Sequence, residues 1–174
     1  ANYFLHQDVK NNLLFLTTGN PRPALLGSSR KGPNKNANSI IAIDLIKKKI
    51  AWSFQEVVHD LWDYDIASPP LLATIRINEE LLDVVIVTTK IGNTLIFDRL
   101  TGNSFHDIFY DNVPLSDFFQ EEVSPKQINV KIPEPLIKLV TSIIDLVVRI
   151  LAEKVDIIIN IDNYKFGKFI PPSF

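Results

Sequence analysis

Three short stretches of this sequence contain residues whose types could bind a cation or move a proton. Residues 17–21 (TTGNP) end an apolar run and place Asn20 in a turn. Residues 59–65 (HDLWDYD) combine three carboxylates with two aromatic rings, and residues 88–93 (TTKIGN) place Lys90 where another apolar run ends. Amide and carboxylate oxygens suit a hard cation, and an ammonium group suits developing negative charge.

The acidic stretch gives the strongest signal of chemistry. Asp60, Asp63 and Asp65 fall within seven residues, and carboxylates this close repel one another unless water or a cation neutralises them. The sequence therefore indicates either a cation site or a solvated acidic loop. Spacing alone does not say which of the three side chains points inward.

The other two stretches have ordinary alternatives. The turn that contains Asn20 can be simply the end of a strand, since Gly, Asn and Pro are common turn residues. Lys90 can be a solvated surface lysine at a hairpin. Neither residue identifies a site by itself.

Short β-strands separated by turns must position these residues. The clearest β-branched and aromatic runs predict strands at 13–17, 39–45, 50–54, 83–89 and 94–98. Residues 19–38 and 56–70 form connections longer than a hairpin requires, and such loops on a regular scaffold often hold functional groups.

Two parts of the β region resemble each other. Residues 39–44 (SIIAID) and 93–98 (NTLIFD) are each followed by a tight turn and a second strand that starts near an aromatic residue, Trp52 or Phe105. Such repeats predict an all-β propeller or solenoid. A blade needs roughly 40 to 50 residues, so the chain holds about two blades. Two blades cannot close a ring, and we expect an assembly or a piece of a larger protein.

Composition excludes several classes of function. Eighteen Lys and Arg against twenty Asp and Glu give a net charge of −2, which provides no basic surplus for nucleic acid. The chain has no Cys, which excludes disulfides, thiolate metal sites and a thiol nucleophile. The first residues lack the pattern of a secretory signal and look internal.

The pattern changes after residue 134. Apolar residues recur at helical spacing and predict a helix at about residues 135–154, although residues 155–161 suit a strand equally well. We expect a partial propeller at 1–134 and a helical or irregular segment at 135–174. Six charges interrupt the apolar region 136–161 and argue against a membrane span: Lys138, Asp145, Arg149, Glu153, Lys154 and Asp156.

Taken together and in this order, the motifs resemble the quinoprotein dehydrogenases, the alcohol and sugar dehydrogenases that depend on pyrroloquinoline quinone (PQQ). The resemblance covers about residues 8–127, and its most specific pieces are residues 19–21, 37–44, 59–65 and 90–102. Residues 113–115 and 124–127 look most like the membrane-bound glucose dehydrogenase branch. The use of Lys90, where alcohol-oxidising relatives tend to have Arg, points the same way.

The resemblance implies a role for three residues. Asn20 matches a calcium-ligating Asn, and Asp60 matches the carboxylate held beside calcium and proposed as the general base. Lys90 matches the cation that hydrogen-bonds the quinone oxygens. The choice of Asp60 over Asp63 rests on this match alone. The family's calcium-binding Glu and its aromatic platform have no match that we can place, so we expect about half of an active site.

Some of the remaining aromatic and histidine residues are predicted to pack, line a pocket or orient a neighbour. Trp52 is predicted to pack between blades, whereas Trp62 either lines a substrate pocket or fills a gap between blades. His59 either orients a neighbouring ligand or is a satisfied loop histidine, and we assign no role to His6 or His106. Residues 46–48 replace the Thr-Gly turn of the repeat, so we expect the first hairpin to turn differently.

The sequence therefore predicts an all-β fragment, about two blades of an eight-bladed type of propeller with a C-terminal helix. The resemblance implies oxidation of a sugar or alcohol hydroxyl by hydride transfer to PQQ, assisted by calcium, with electrons passed to a quinone or cytochrome acceptor. It also implies the periplasm, with membrane association only through parts outside this chain. We expect the isolated chain to be inactive.

The alternative is a non-catalytic propeller scaffold for protein–protein interaction. A scaffold of this kind needs the packing aromatics but not the convergence of Asn20, Asp60 and Lys90.

Overall fold

The computed structural model describes residues 5–77, 79–116 and 120–129, all within one compact unit. These residues are all-β, as predicted. The strands are β1 (Leu5–Asp8), β2 (Leu13–Thr17), β3 (Ser39–Asp44), β4 (Lys49–Gln55), β5 (Leu71–Ile77), β6 (Glu80–Thr88), β7 (Thr94–Asp98), β8 (Phe109–Asn112) and β9 (Lys126–Asn129). The predicted helix at 135–154 and the boundary at 134 lie outside the described residues. No helix suited to crossing a membrane occurs in the part that is described.

The first four strands form one antiparallel sheet in chain order. In β2 the buried positions alternate with half-buried ones, which places Leu13, Phe15 and Thr17 in the interior. Although β2 and β3 are hydrogen-bonded neighbours, residues 18–38 connect them instead of a short turn. Asn20 lies in this long connection.

A second antiparallel sheet contains β5, β6 and β7, and a separate pair joins β8 to β9. The chain enters the second sheet through residues 56–70, which contain the acidic stretch. Lys90 lies in the turn between β6 and β7. Both stretches are therefore loops at strand ends, as the sequence predicted.

The turns that close the two repeats are built alike. Asp44 accepts hydrogen bonds from the N–H groups two and three residues further on, at 3.0 and 2.8 Å, and Asp98 does the same at 3.0 and 2.7 Å. Four residues after each aspartate the backbone is left-handed, with φ of 52° at Lys48 and 73° at Gly102. The expected difference in the first hairpin is therefore wrong, because Lys48 adopts the conformation that Gly102 adopts in the second.

Aromatic rings pack between the two sheets. The Trp52 ring lies 5.8 Å from Phe15 in its own sheet and 5.8 Å from Phe97 in the second sheet, measured between centroids. Phe54 lies 5.0 Å from Phe97, and the Trp52 indole N–H donates to the Arg99 carbonyl at 3.2 Å. The prediction that Trp52 packs between the repeats is confirmed.

Candidate functional site

The Asp60 side chain is hydrogen-bonded to the backbone of the acidic loop in which it lies. It is buried, and its Oδ1 accepts from the Trp62 N–H at 2.8 Å. Its Oδ2 accepts from the Tyr64 N–H and from Asn38 Nδ2, both at 2.7 Å. Burial raises the pKa of Asp60 above its usual range, and these hydrogen bonds offset part of that rise. The carboxylate therefore faces the backbone of its own loop.

Asp63 points the other way and forms an ion pair with Lys90. Lys90 Nζ lies 2.8 Å from Asp63 Oδ2 and also donates to the Asp63 carbonyl at 2.5 Å. Both side chains are 44% exposed. The hydrogen bond to Asp63 is the main reason that the pKa of Lys90 is raised. A protonated ammonium group is thereby held at the edge of the acidic loop.

Asp65 connects this ion pair to Asn20. Its Oδ2 lies 3.7 Å from Lys90 Nζ, and its Oδ1 accepts from the Asn20 backbone N–H at 2.5 Å. A side chain at Gly19 would place Cβ 2.6 Å from the same Asp65 oxygen. A larger residue at position 19 would therefore displace the Asp65 carboxylate that accepts from the Asn20 N–H.

The Asn20 side chain has one satisfied end and one unsatisfied end. Its Nδ2 donates to the Ala24 carbonyl at 2.8 Å, whereas its Oδ1 is buried and has no hydrogen-bond partner. Buried polar atoms are nearly always paired, so an unpartnered amide oxygen in this place is compatible with a bound cation.

The predicted site residues are thus brought together only in part. Asp65 contacts both Asn20 and Lys90, while the Asp60 carboxylate has its hydrogen-bond donors within the loop and on Asn38. Sequence reasoning named Asp63 and Asp65 as members of the acidic stretch but did not select them as site residues. The signal that could have found them is the alternation of the acids with Trp62 and Tyr64.

His59 is satisfied on both sides of its ring. Nδ1 lies 2.6 Å from the Gly32 carbonyl, and Nε2 lies 3.5 Å from Glu121 Oε1. Glu121 Oε2 in turn accepts from the Gly27 N–H at 2.8 Å. Of the two roles considered for His59, these contacts favour a satisfied loop histidine that ties residues 19–38 to the segment before β9.

The aromatic rings of the acidic loop stack on each other. Trp62 and Tyr64 have centroids 6.2 Å apart and planes only 18° from parallel. Both side chains are partly exposed, next to the ion pair of Asp63 and Lys90. Burial raises the pKa of Tyr64. Its phenol therefore stays neutral near physiological pH.

The described residues offer part of a calcium site. They contain no group of three or more His, Cys, Asp and Glu side chains arranged to hold a metal. They do present the unpartnered Asn20 Oδ1, on a residue whose backbone N–H is hydrogen-bonded to the Asp65 carboxylate, and calcium prefers neutral and charged oxygens. The residues present therefore fit one side of a calcium site.

Comparison with known proteins identifies the same family along the whole chain. Residues 4–173 match the glucose/ethanol/alcohol dehydrogenase β-propeller domain of the PQQ proteins. The quinoprotein glucose dehydrogenase of Escherichia coli (strain K12) is 38% identical over 96 residues, which are 55% of this chain and 12% of that protein. The quinoprotein glucose dehydrogenase A of Acinetobacter calcoaceticus is 34% identical over 112 residues, 63% of this chain and 14% of that protein.

Solved structures give the same result for the fold. The quinohemoprotein alcohol dehydrogenase of Comamonas testosteroni is 28% identical with a TM-score of 0.51, over 69% of this chain and 19% of that one. A quinohemoprotein alcohol dehydrogenase of Pseudomonas putida HK5 is 27% identical with a TM-score of 0.53, over 59% of this chain and 15% of that one. This chain thus spans less than a fifth of the length of these relatives.

Proposed function

The chain belongs to the glucose/ethanol/alcohol dehydrogenase β-propeller family of PQQ proteins, and we propose that it provides one side of a quinoprotein active site that oxidises a sugar or alcohol hydroxyl. One observation supports this most directly. Asp65 joins Asn20, with its unpartnered oxygen, to Lys90, with its ion pair to Asp63. A propeller scaffold without catalysis would not need these polar groups to meet.

The groups of this chain would have separate tasks. PQQ supplies the redox chemistry when it is bound, with calcium as a Lewis acid. Asn20 Oδ1 offers a neutral ligand to the calcium ion, and Asp65 holds the Asn20 backbone in place. Lys90 remains protonated because its pKa is raised, so it can donate hydrogen bonds to the quinone oxygens.

The identity of the proton acceptor is a choice between two carboxylates. Asp60 was predicted as the base and as a calcium neighbour, and that role stays a prediction. Its three hydrogen bonds to Trp62, Tyr64 and Asn38 favour instead an anchoring role. We propose that Asp63, half exposed and beside Lys90, accepts the hydroxyl proton.

The family supports the proposal for the substrate, the electron acceptor and the compartment. Two relatives are named glucose dehydrogenases and two structural neighbours alcohol dehydrogenases, which supports a hydroxyl substrate of the sugar or alcohol class. We extend this to a quinone or cytochrome acceptor and to a periplasmic setting. Membrane association would come only from parts outside this chain.

A binding experiment tests the proposed site on this chain. PQQ is titrated into the 174-residue protein with and without Ca²⁺ and followed by tryptophan fluorescence. We expect calcium-dependent binding that Asn20→Ala and Lys90→Ala weaken by at least ten-fold, whereas Lys49→Ala on the exposed edge of β4 leaves it unchanged. Absence of calcium-dependent binding, or equal affinity in all variants, would overturn the proposal.

A chimera distinguishes the two carboxylates. In it, the 96-residue segment of the E. coli glucose dehydrogenase that aligns with this chain is replaced by the aligned residues of this chain. Loss of a general base typically lowers turnover by about 10²- to 10⁴-fold. We expect such a loss with retained PQQ in Asp63→Asn. If instead Asp60→Asn shows that loss and Asp63→Asn does not, Asp60 is the base.

A further inference from the structure

Glu56 is a buried acid next to the candidate site for which no role has yet been given. It follows β4 directly, and only 1% of its surface is exposed. Its Oε1 accepts hydrogen bonds from Thr89 Oγ1 at 2.9 Å and from Asn93 Nδ2 at 2.5 Å. Its backbone N–H donates to the Asn38 carbonyl at 2.9 Å. One residue thus joins the start of the acidic loop to the turn that contains Lys90.

That turn is closed by its own hydrogen bonds. The Thr89 N–H donates to the Asn93 carbonyl, and the Gly92 N–H donates to the Thr89 carbonyl, both at 2.9 Å. The Asn93 N–H donates to Thr89 Oγ1 at 3.2 Å. These contacts fix the shape of the turn, but they do not fix its place relative to the acidic loop. The hydrogen bonds to Glu56 do that, together with the two between Ser68 Oγ and the Thr88 backbone at the end of β6.

An Asn–carboxylate hydrogen bond of this kind occurs twice. Asn38 and Asn93 each stand directly before a strand, β3 and β7, although the alignment of residues 39–44 with 93–98 matches Asn93 to Ser39. Asn38 Nδ2 donates to the buried Asp60 carboxylate, and Asn93 Nδ2 donates to the buried Glu56 side chain. The first pair anchors the loop of Asp63, and the second anchors the turn of Lys90. The two partners of the exposed ion pair are therefore each held by an Asn–carboxylate hydrogen bond.

We propose that Glu56 is a positioning residue that sets Lys90 against Asp63 through Thr89 and Asn93. The inference rests on the proposed function only for the importance of Lys90, since the geometry of the turn stands without it. Burial of a carboxylate costs free energy that its hydrogen bonds offset, and both hydrogen bonds to Oε1 come from this turn, so Thr89 and Asn93 define where the turn can lie.

The Lys90 ammonium group itself provides the test, with no PQQ present. Its ¹H–¹⁵N cross-peak is recorded on the 174-residue chain at mildly acidic pH, and Asp63→Asn shows how the peak changes when the ion pair is lost. We expect Glu56→Ala to give the same change and Glu56→Gln to keep the native peak, because the Gln carbonyl can still accept both hydrogen bonds. Glu80→Ala, an exposed acid on β6, serves as the matched control.

A second variant covers the possibility that Glu56→Ala does not fold. Thr89→Val keeps the shape of the side chain and removes one donor to Glu56, and it should shift the Lys90 peak part of the way. A folded Glu56→Ala or Thr89→Val protein with an unchanged Lys90 peak would overturn the inference. PQQ affinity, measured separately, should fall about ten-fold in Glu56→Ala. An altered peak with unaltered affinity would contradict the proposed function and leave the positioning role intact.

Discussion

Asp60, Asp63 and Asp65 lie in one loop, yet their oxygens meet different partners. Asp60 faces N–H groups and Asn38, Asp63 faces Lys90, and Asp65 lies between Lys90 and the Asn20 backbone. Because each carboxylate has hydrogen-bond donors of its own, the protein itself reduces the repulsion among the three negative charges, in addition to water. Lys90, from the turn between β6 and β7, and Arg30, which donates to the Asp60 carbonyl, bring positive charge to this loop.

The loss of unfolding free energy on substitution should distinguish the buried carboxylate of Asp60 from the exposed carboxylate of Asp63. Asp60→Asn replaces one acceptor oxygen with a donor and leaves a buried backbone N–H without a partner, which we expect to cost about 1–3 kcal/mol. Asp63→Asn removes an exposed ion pair, and such pairs contribute about 0–1 kcal/mol. Urea unfolding followed by circular dichroism measures both. Equal losses in the two variants would contradict the anchoring role of Asp60.

The sequence predicts the members of the site better than their orientation. Asn20 and Lys90 were selected through the resemblance to a family, and the structure brings both to Asp65. The choice between Asp60 and Asp63 could not be made, because left-handed backbone at His59 and Asp63, with φ of 49° and 61°, turns the loop between them. Non-glycine residues adopt this conformation rarely, and nothing in the local sequence signals it.

Among the elements, the sequence predicted β2, β3, β4, β6 and β7 and missed β1, β5, β8 and β9. β2 and β7 have the predicted bounds, and β3, β4 and β6 differ by one to three residues at their ends. β1, β8 and β9 have only four residues each, too few to show a period in the sequence. β5 has no fully buried position, and it lacks the aromatic residues that mark β4 as a strand.

The turn after β7 depends on glycine for two separate reasons. Gly102 has a φ of 73°, and a Cβ there would lie 2.5 Å from the Trp52 ring. Gly32 has a similar φ of 81°, but nothing lies within 4 Å of its Cβ position. Backbone strain alone costs roughly 1 kcal/mol, while overpacking adds about 1–3 kcal/mol.

We therefore expect Gly102→Ala to destabilise the chain by about 2–4 kcal/mol and Gly32→Ala by about 1 kcal/mol. Thermal unfolding of the two variants provides the comparison. If both lower the midpoint equally, the contact with Trp52 has no energetic consequence.

For the whole molecule, the repeat correctly predicts two similar β units, and the aromatic cluster shows how they pack. Trp52 belongs to the first sheet and contacts Phe97 of the second, and its N–H is hydrogen-bonded to Arg99. The pair of β8 and β9 was not predicted, since its strands are short. Gln127 of β9 makes two hydrogen bonds to the Val58 backbone, and a side chain reaching a distant loop leaves no local sequence pattern.

Removal of the Trp52 ring should weaken the contact between the sheets. Full truncation of a buried Trp costs about 3–5 kcal/mol, and since Trp52 is half-buried we expect about 2–3 kcal/mol for Trp52→Ala. Trp62→Ala is the matched control, because Trp62 is also half-buried but stacks on Tyr64 within one loop. Urea unfolding should show a clearly smaller loss for Trp62→Ala, and the reverse order would contradict the packing role.

A buried ion pair also links the sheets and gives the molecule a defined response to acid. Asp8 at the end of β1 accepts from Arg99 Nη1 at 3.0 Å, and Arg99 Nη2 donates to the Ala73 carbonyl of β5 at 2.9 Å. Burial by itself raises the pKa of Asp8, but the hydrogen bonds from Asn11 and Arg99 outweigh it and hold the pKa below the ordinary 3.8. The folded state therefore binds the Asp8 proton more weakly than the unfolded chain does.

The sign of the pH dependence follows from this depressed pKa. The contribution of Asp8 to stability is complete above about pH 4 and is lost as the pH falls through the folded pKa. The loss occurs because the unfolded chain binds the Asp8 proton at a higher pH than the folded protein does, and this binding favours unfolding. Asp8→Asn should cost about 3 kcal/mol at neutral pH by leaving Arg99 buried without its charge partner. It should also reduce the difference in unfolding free energy between about pH 6 and pH 3. Asp107→Asn, at an exposed position, should leave both quantities unchanged. If Asp8→Asn loses as much unfolding free energy between about pH 6 and pH 3 as the original protein does, this ion pair does not set the response to acid.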